Sequence, residues 1–378
     1  MVGSSARKAE SGDIGRGSDR ARYQVMVVDD SAVIRGLITR MLEADPDFKV
    51  VTTAANGEIA VRAVARYDID VVILDIEMPV MDGLTALPLI LKANPKVKVL
   101  MASTLTRRNA TISIKALSAG AADYVPKPES TREAHASENF RRELVSKIKA
   151  ISRPRLRRGT TASGQSSVTT LAAPPKISLH KPSSFKPEVL AIGSSTGGPQ
   201  ALFKVFETLK DTVRVPIFIT QHMPATFTAI LAEHIQRVSG VECAEGRDHE
   251  RVVPNRIYLA PGEYHMVIDG DSRGPFIRIN QDPPENYCRP AVDPMFRSIA
   301  KLYGSKTLSI ILTGMGKDGK AGGQAIIDAG GTVIAQDEPS SVVWGMPGAA
   351  ATAGICSAVL PLDKIAPKIS RMLKGVGA

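Results

Sequence analysis

Short apolar runs alternate with amphipathic stretches along most of the chain, and the alternation is interrupted once. In the first block the runs fall at 24–28, 48–53, 70–74, 97–102 and 122–125. Between and after them, apolar positions recur at helical spacing over 32–44, 57–66, 83–93, 108–118 and 138–151. Strand-sized runs separated by helix-sized ones predict βα units, hence a parallel sheet with helices on both faces. Five such units predict the flavodoxin-like, doubly wound order. In the second block strands are predicted at 189–193, 215–220, 256–260, 265–269, 275–279, 307–313, 332–335 and 355–359. Helices are predicted at 199–210, 226–238, 291–303, 320–329, 347–353 and 363–374. This is a second parallel-sheet α/β unit, with a hairpin-like insertion around Asp269-Gly270-Asp271.

A chain of 378 residues is long enough for two such cores. The segment between them carries only basic charges from Arg153 to Lys186, set among Ser, Thr, Pro and Gly, which is the composition of a solvated linker. The expected division is a disordered tail over 1–22, a first domain over 23–152, a linker over 153–187 and a second domain over 188–378. Much of the net charge of +10 sits in that linker. No aromatic interleaving supports base stacking there, and no basic recognition helix follows the first domain, so nucleic acid is not an expected partner. Cys243, Cys288 and Cys356 form no CxxC pair and no even-numbered framework, which fits a reducing cytoplasm. No run approaches transmembrane length and Met1–Arg22 has no apolar core, so neither stable membrane insertion nor a signal peptide is expected.

In a parallel sheet, ligands gather at the carboxyl ends of the strands. In the first block these ends carry Asp29 and Asp30, Asp75, Ser103, and Lys127 after the fifth strand. A single acid at a strand end is usually a turn or cap residue. Three carboxylates on one rim repel one another unless a cation sits between them, and oxygen-only ligands select magnesium over zinc. Asp75 is then placed to accept a phosphoryl group, with Lys127 neutralising its oxygens and Ser103 donating a hydrogen bond. The segment 23–128, through VVDDS, LDIEMPVMDG, MAS and YVPKP, resembles the receiver domain of two-component response regulators. The resemblance implies phosphorylation at Asp75, magnesium held by Asp29, Asp30 and Asp75, a phosphoryl ligand in Lys127, a switch pair in Ser103 and Tyr124, and a cis Lys127-Pro128 bond.

In the second block Gly193-Ser194-Ser195-Thr196-Gly197 follows a strand, the setting of a nucleophile elbow, and Pro199 suits the helix start after it. Such a turn alone is a weak signal. Ser194 and Thr196 compete for the role, and the centre of the pattern favours Ser195. Among six histidines, His222 directly follows the strand 215–220 and shares the rim with Ser195, whereas His265 is less well placed. Asp318, in the glycine turn after strand 307–313, suits the orienting carboxylate. The order Ser, His, Asp differs from that of α/β-hydrolases. The same turn reads G-x-G-x-x-G over Gly314–Gly319 with Asp337 further on, but Asp318 would confront a pyrophosphate, so nicotinamide binding is disfavoured.

The segment 188–378, through AIGSSTGGP, QHMP, APGEYHM, RPAVDPMF, ILTGMGKDG and VVWGMP, resembles the catalytic domain of chemotaxis protein-glutamate methylesterases. That resemblance implies Ser195 as nucleophile, His222 as base, Asp318 as orienting acid and the Met315 N–H as oxyanion donor, with no cofactor for the esterase. It implies hydrolysis of glutamyl γ-methyl esters on methyl-accepting chemoreceptors, deamidation of receptor glutamines, and activation by a chemotaxis histidine kinase. The alternative is a response regulator with a non-catalytic output domain.

Overall fold

The structure is a computed structural model, and it describes residues 22–104, 106–127, 134–152, 177–210 and 214–375. The first unit runs β1 (Tyr23–Val28), α1 (Ala32–Glu43), β2 (Phe48–Ala54), α2 (Gly57–Val64), β3 (Val71–Asp75), α3 (Gly83–Ala93), β4 (Lys98–Ser103), α4 (Arg107–Ser118), β5 (Asp123–Pro126) and α5 (Ala134–Ile151). Its sheet is parallel throughout, in the order β2-β1-β3-β4-β5. Helices α1 to α4 each start on a side-chain cap: Ser31, Asn56, Asp82 and Thr106 accept from the N–H three residues on. The central strand β3 is buried along its whole length, as a strand covered on both faces must be.

The second unit runs β6 (Val189–Ser194), α6 (Gly198–Leu209), β7 (Ile217–Gln221), α7 (Ala225–Ser239), β8 (Cys243–Glu245), β9 (Ile257–Leu259), β10 (His265–Asp271), β11 (Gly274–Asn280) and α8 (Val292–Tyr303). It continues through β12 (Thr307–Ile311), α9 (Lys320–Asp328), β13 (Thr332–Gln336), α10 (Gly345–Thr352), β14 (Ala358–Leu360) and α11 (Leu362–Leu373). The main sheet is parallel in the order β14-β13-β12-β6-β7-β9-β8, and β10 and β11 form a separate antiparallel hairpin. From β6 the chain first builds outward through β7 and later returns to build through β12 on the other side. The carboxyl end of β6 is thus a topological switch point, where a crevice opens in such sheets.

The pattern missed β8, a three-residue edge strand too short to show a period. The stretch 177–187, read as linker, packs on the second unit. His180 N–H donates to Cys356 O, Ser183 N–H to Thr332 Oγ1, and Ser183 Oγ to Ser305 O. The tail over 1–21 and the linker over 153–176 lie outside the described residues.

The two units touch through α4 and β5 on one side and α6 and α7 on the other. Tyr124 stacks on Phe227 with centroids 4.3 Å apart, and both rings are buried. Arg107 lies 3.4 Å from Glu233, Ser118 Oγ lies 3.3 Å from His234 Nε2, and Gln200 donates to the Ala121 carbonyl. A second contact joins Val343 to the apolar cluster of Tyr23, Val71 and Ile151. Beside it lies a cavity of about 400 Å³, lined by Lys98, Ile151, Val343 and Trp344 among others. Among the described residues, no helix is long and apolar enough to cross a membrane.

Candidate catalytic and phosphoryl sites

Asp29, Asp30 and Asp75 offer carboxylate oxygens within 4.8 Å of one another at the carboxyl ends of β1 and β3. Asp29 and Asp75 are buried and Asp30 is exposed. Lys127 Nζ lies 2.6 Å from both Asp29 Oδ2 and Asp75 Oδ1. Asp75 Oδ1 also accepts the Ile76 N–H, which leaves Oδ2 as its open oxygen. Burial drives the Asp75 carboxyl up to about 6, and Lys127 only partly offsets it. An all-oxygen acid cluster, two of its three carboxyls buried, whose charge one ammonium does not balance fits a hard divalent cation such as magnesium. Gly83 is required here: a Cβ on it would lie 1.9 Å from the Asp75 carbonyl oxygen. Ser103 is buried on β4 and its Oγ donates to Thr104 O. Tyr124 is buried between Phe227 and Lys147, whose Nζ sits 4.8 Å from the ring centroid and donates to Tyr124 O. The Lys127-Pro128 bond lies outside the described residues.

The second rim is built on β6, β7 and the turn after β12. Ser194 and Ser195 separate cleanly. Ser194 is fully buried and its Oγ donates to Gln221 Oε1 at 2.7 Å. Ser195 is half-buried, and its hydroxyl bonds to no described residue. Its backbone is pinned: N–H to Thr313 O at 3.1 Å, and C=O accepting from Gly198 N–H and Gln221 Nε2. Thr196 is buried. Gly197 takes φ +75 and caps α6, where a Cβ would strike Val342.

His222 leaves β7 with its N–H on Ser194 O, and its Nε2 lies 2.7 Å from Asp318 Oδ2. Asp318 is almost fully buried, yet it accepts from the Val292 and Asp293 N–H groups at the start of α8, from Gly319 N–H and from Asn286 Nδ2. A helix N-terminus offering free N–H groups stabilises such an anion. Burial alone would raise the Asp318 carboxyl; His222 and these donors bring it below its ordinary value. Burial alone would lower the His222 imidazole; the Asp318 bond, joined by Cys288, outweighs it and raises the group to about 10. His265 is a structural residue, buried between the Pro283 carbonyl and the Ala291 N–H.

The Gly314–Gly316 turn lies directly against the serine. A Cβ on Gly314 would stand 2.8 Å from Ser195 Cβ and 2.3 Å from Met346 Sδ. Met315 on this turn is 40% exposed, and its N–H finds no acceptor among the described residues. Three residues at the site escaped the sequence reading: Asn286, Cys288 and Asp293. Asn286 Nδ2 bridges Asp293 Oδ2 and Asp318 Oδ1, and Cys288 Sγ sits 3.4 Å from His222 Nδ1. No motif spacing ties position 288 to position 222. The available hint was two adjacent polar residues and a cysteine just ahead of a helix whose first turn holds Asp293.

Fold and rims together define the class, a receiver joined to a hydrolase-like α/β domain with its site at the switch point. Residues 25–137 match the response regulator receiver domain and residues 190–369 match CheB methylesterase. A protein-glutamate methylesterase/protein-glutamine glutaminase 1 of Paramagnetospirillum magneticum is 55% identical over 364 residues, covering 92% of this chain and 96% of that protein. A counterpart of the group 2 operon in Rhodospirillum centenum is 51% identical over 396 residues, covering 98% of each. The crystal structure of the Thermotoga maritima CheB methylesterase catalytic domain is 38% identical, covers 50% of this chain and 100% of that one, and has a TM-score of 0.48. The chain belongs to the receiver-linked protein-glutamate methylesterase/protein-glutamine glutaminase family.

Proposed function

We propose that this chain removes γ-methyl esters from glutamyl side chains of methyl-accepting chemoreceptors, and deamidates receptor glutamines, under control of phosphorylation at Asp75. Ser195 Oγ attacks the ester carbonyl carbon while His222 takes its proton. The Met315 N–H, on the turn pressed against Ser195, receives the developing oxyanion. Collapse expels methoxide, which takes the proton from His222 and leaves as methanol; a glutamine releases ammonia in the same way. Water, activated by His222, then adds to the acyl-enzyme and frees the glutamate. Asp318 holds the imidazole and stabilises its charged form.

In the receiver, Asp75 Oδ2 attacks the phosphorus of a kinase phosphohistidine, forming the P–O bond as the P–N bond breaks. Lys127 and Ser103 neutralise and bind the transferred oxygens. Magnesium, held by Asp29, Asp30 and Asp75, would supply further charge neutralisation there. The cytoplasm is the compartment where kinase and receptor helices meet this chain.

The observation that carries this reading is the His222–Asp318 pair at 2.7 Å on the rim of Ser195, the turn serine left half-exposed beside buried neighbours. The test is methanol release from methylated receptor membranes with and without a small-molecule phosphodonor. Release that depends on Ser195 and rises with phosphodonor supports it. A chain that takes phosphate on Asp75 yet releases no methanol is an output module without esterase chemistry.

A further inference from the structure

The catalytic imidazole has two ring nitrogens, and both are occupied. Nε2 faces Asp318 at 2.7 Å, so the ring is turned relative to the serine-protease template, in which the acid faces Nδ1. Nδ1, the nitrogen left for the serine proton, faces Cys288 Sγ at 3.4 Å. An imidazole nitrogen makes one in-plane hydrogen bond. In the neutral ring Nδ1 accepts a single donor, so on the proposed mechanism the Cys288 S–H competes for it with the Ser195 O–H. In the charged ring the Nδ1–H points at the sulfur and nothing is left to accept a proton. In either form Ser195 has no base while the thiol stays in place.

The segment that carries Cys288 is held by its neighbours. Asn286 bonds both Asp293 and Asp318, Glu285 pairs with Arg297, and Glu285 and Cys288 bridge each other through their backbones. Asn286 and Tyr287 adopt φ of +51 and +64, a left-handed conformation that non-glycine residues keep only when surrounding contacts fix it. Tyr287, between Asn286 and Cys288, is fully exposed. The tether that orients Asp318 therefore also sets the position of the thiol on His222.

We infer that Cys288 is a positioning residue that acts as a latch: it holds His222 Nδ1 away from Ser195 in the resting chain and must withdraw before the serine can be deprotonated. This rests on the reading of Ser195 and His222 as nucleophile and base. The groups facing His222 are Asp318 on one side and Cys288 on the other, with Asp293 one hydrogen-bonded step behind through Asn286. Cys288 is among the groups that raise the imidazole. Removing it should both free Nδ1 and make the ring easier to deprotonate.

The test is the rate at which a fluorophosphonate probe labels the unphosphorylated full chain, followed across pH. The probe forms an O–P bond to Ser195 and loses fluoride, and the serine proton goes to His222. Cys288→Ala should label about 2- to 10-fold faster than native, the worth of one net hydrogen bond, with the midpoint of its pH profile moved to lower pH. Cys288→Val, apolar and close in size, should behave the same and guards against a folding defect in the first variant. Cys288→Ser, whose hydroxyl can donate to the neutral Nδ1 and accept from the charged Nδ1–H, should return towards the native rate and midpoint. Native rates and midpoints in both apolar variants, or slower labelling that Cys288→Ser rescues, would overturn the latch. Ser195→Ala separates the underlying reading: if it labels like native, the nucleophile assignment fails, whatever Cys288 does.

Discussion

On the proposed mechanism Ser195, His222 and Asp318 act as a unit, so their losses should not add. Ser195→Ala or His222→Ala should lower methanol release by roughly 10^4-fold or more, and the double variant should be little worse than either. Asp318→Asn should also be severely impaired, because an amide facing His222 Nε2 favours the wrong tautomer. The pH response follows from the same contact. The imidazole is raised from 6.5 to about 10 in the fold. The sign is that of a base gaining a partner: the pair stabilises the fold fully below about 6.5, and that stability is lost as pH rises through about 10. Reactivity runs the opposite way, since only the neutral ring accepts the serine proton. Fluorophosphonate labelling should therefore climb into the alkaline range, and Asp318→Asn should move the midpoint downward. A midpoint unmoved by that substitution would deny Asp318 its hold on the ring. Asp75 offers a second titration. Its carboxyl rises from 3.8 to about 6, so its protonated form stabilises the metal-free fold below about 3.8, and that contribution is lost as pH rises through about 6. Asp75→Asn should raise the melting temperature of the chain in chelator at pH 7.5, by about 1–3 kcal/mol of stability, and the gain should shrink towards pH 4.

At the scale of elements, the two sites are assembled by turns whose glycines have no space for a side chain. Gly314→Ala would drive a methyl into Met346 and Ser195, so it should abolish methanol release. It should cost only about 1–3 kcal/mol of stability, the range for overpacking, while phosphorylation of Asp75 continues. Loss of both activities together would mean the whole chain had unfolded. The same turns explain what the sequence made legible. Most α-helices of both units show in the period of apolar positions because they are amphipathic and lie on a sheet, whereas α10, Gly- and Ala-rich, is apolar without a polar face. Ser195 and His222 could be proposed because each directly follows a buried apolar strand, and Asp318 because it sits in the glycine turn after β12, so strand ends mark the rim. Asn286 and Cys288 follow no such strand. They reach the site from an irregular loop held by Asp293 and Arg297, and only the folded chain brings 288 beside 222. The packing of 177–187 was hidden for a related reason. Its Ser-rich composition suits a solvated tether, but Ser183 finds backbone and hydroxyl partners on the second unit.

At the scale of the whole molecule, the receiver lies against the two helices that start at the catalytic rim. α6 begins three residues after Ser195 and α7 three residues after His222, and α4 packs on both. The Val343 contact reaches the same rim from its other side, since the Val343 carbonyl accepts the Gly314 N–H. On the proposed function, a bulky receptor helix would have to approach Ser195 where the receiver sits. Phosphorylation at Asp75 is expected to draw Ser103 towards the new oxygens and to shift Tyr124, which is already buried, off Phe227. Its effect is limited to the difference it makes between closed and open states. A fragment beginning at Ile177, which retains the His180 and Ser183 contacts, should demethylate receptors faster than the unphosphorylated full chain and ignore phosphodonor. Arg107→Glu in the full chain sets two like charges together at Glu233, and should raise the resting rate about 2- to 5-fold, the scale of an exposed pair. It should leave the phosphorylated rate near native. Rates for the fragment and for Arg107→Glu equal to that of the resting chain, with both folded by circular dichroism, would rule out occlusion. The receiver would then have to act on the catalytic turn itself, through Val343 and Gly314.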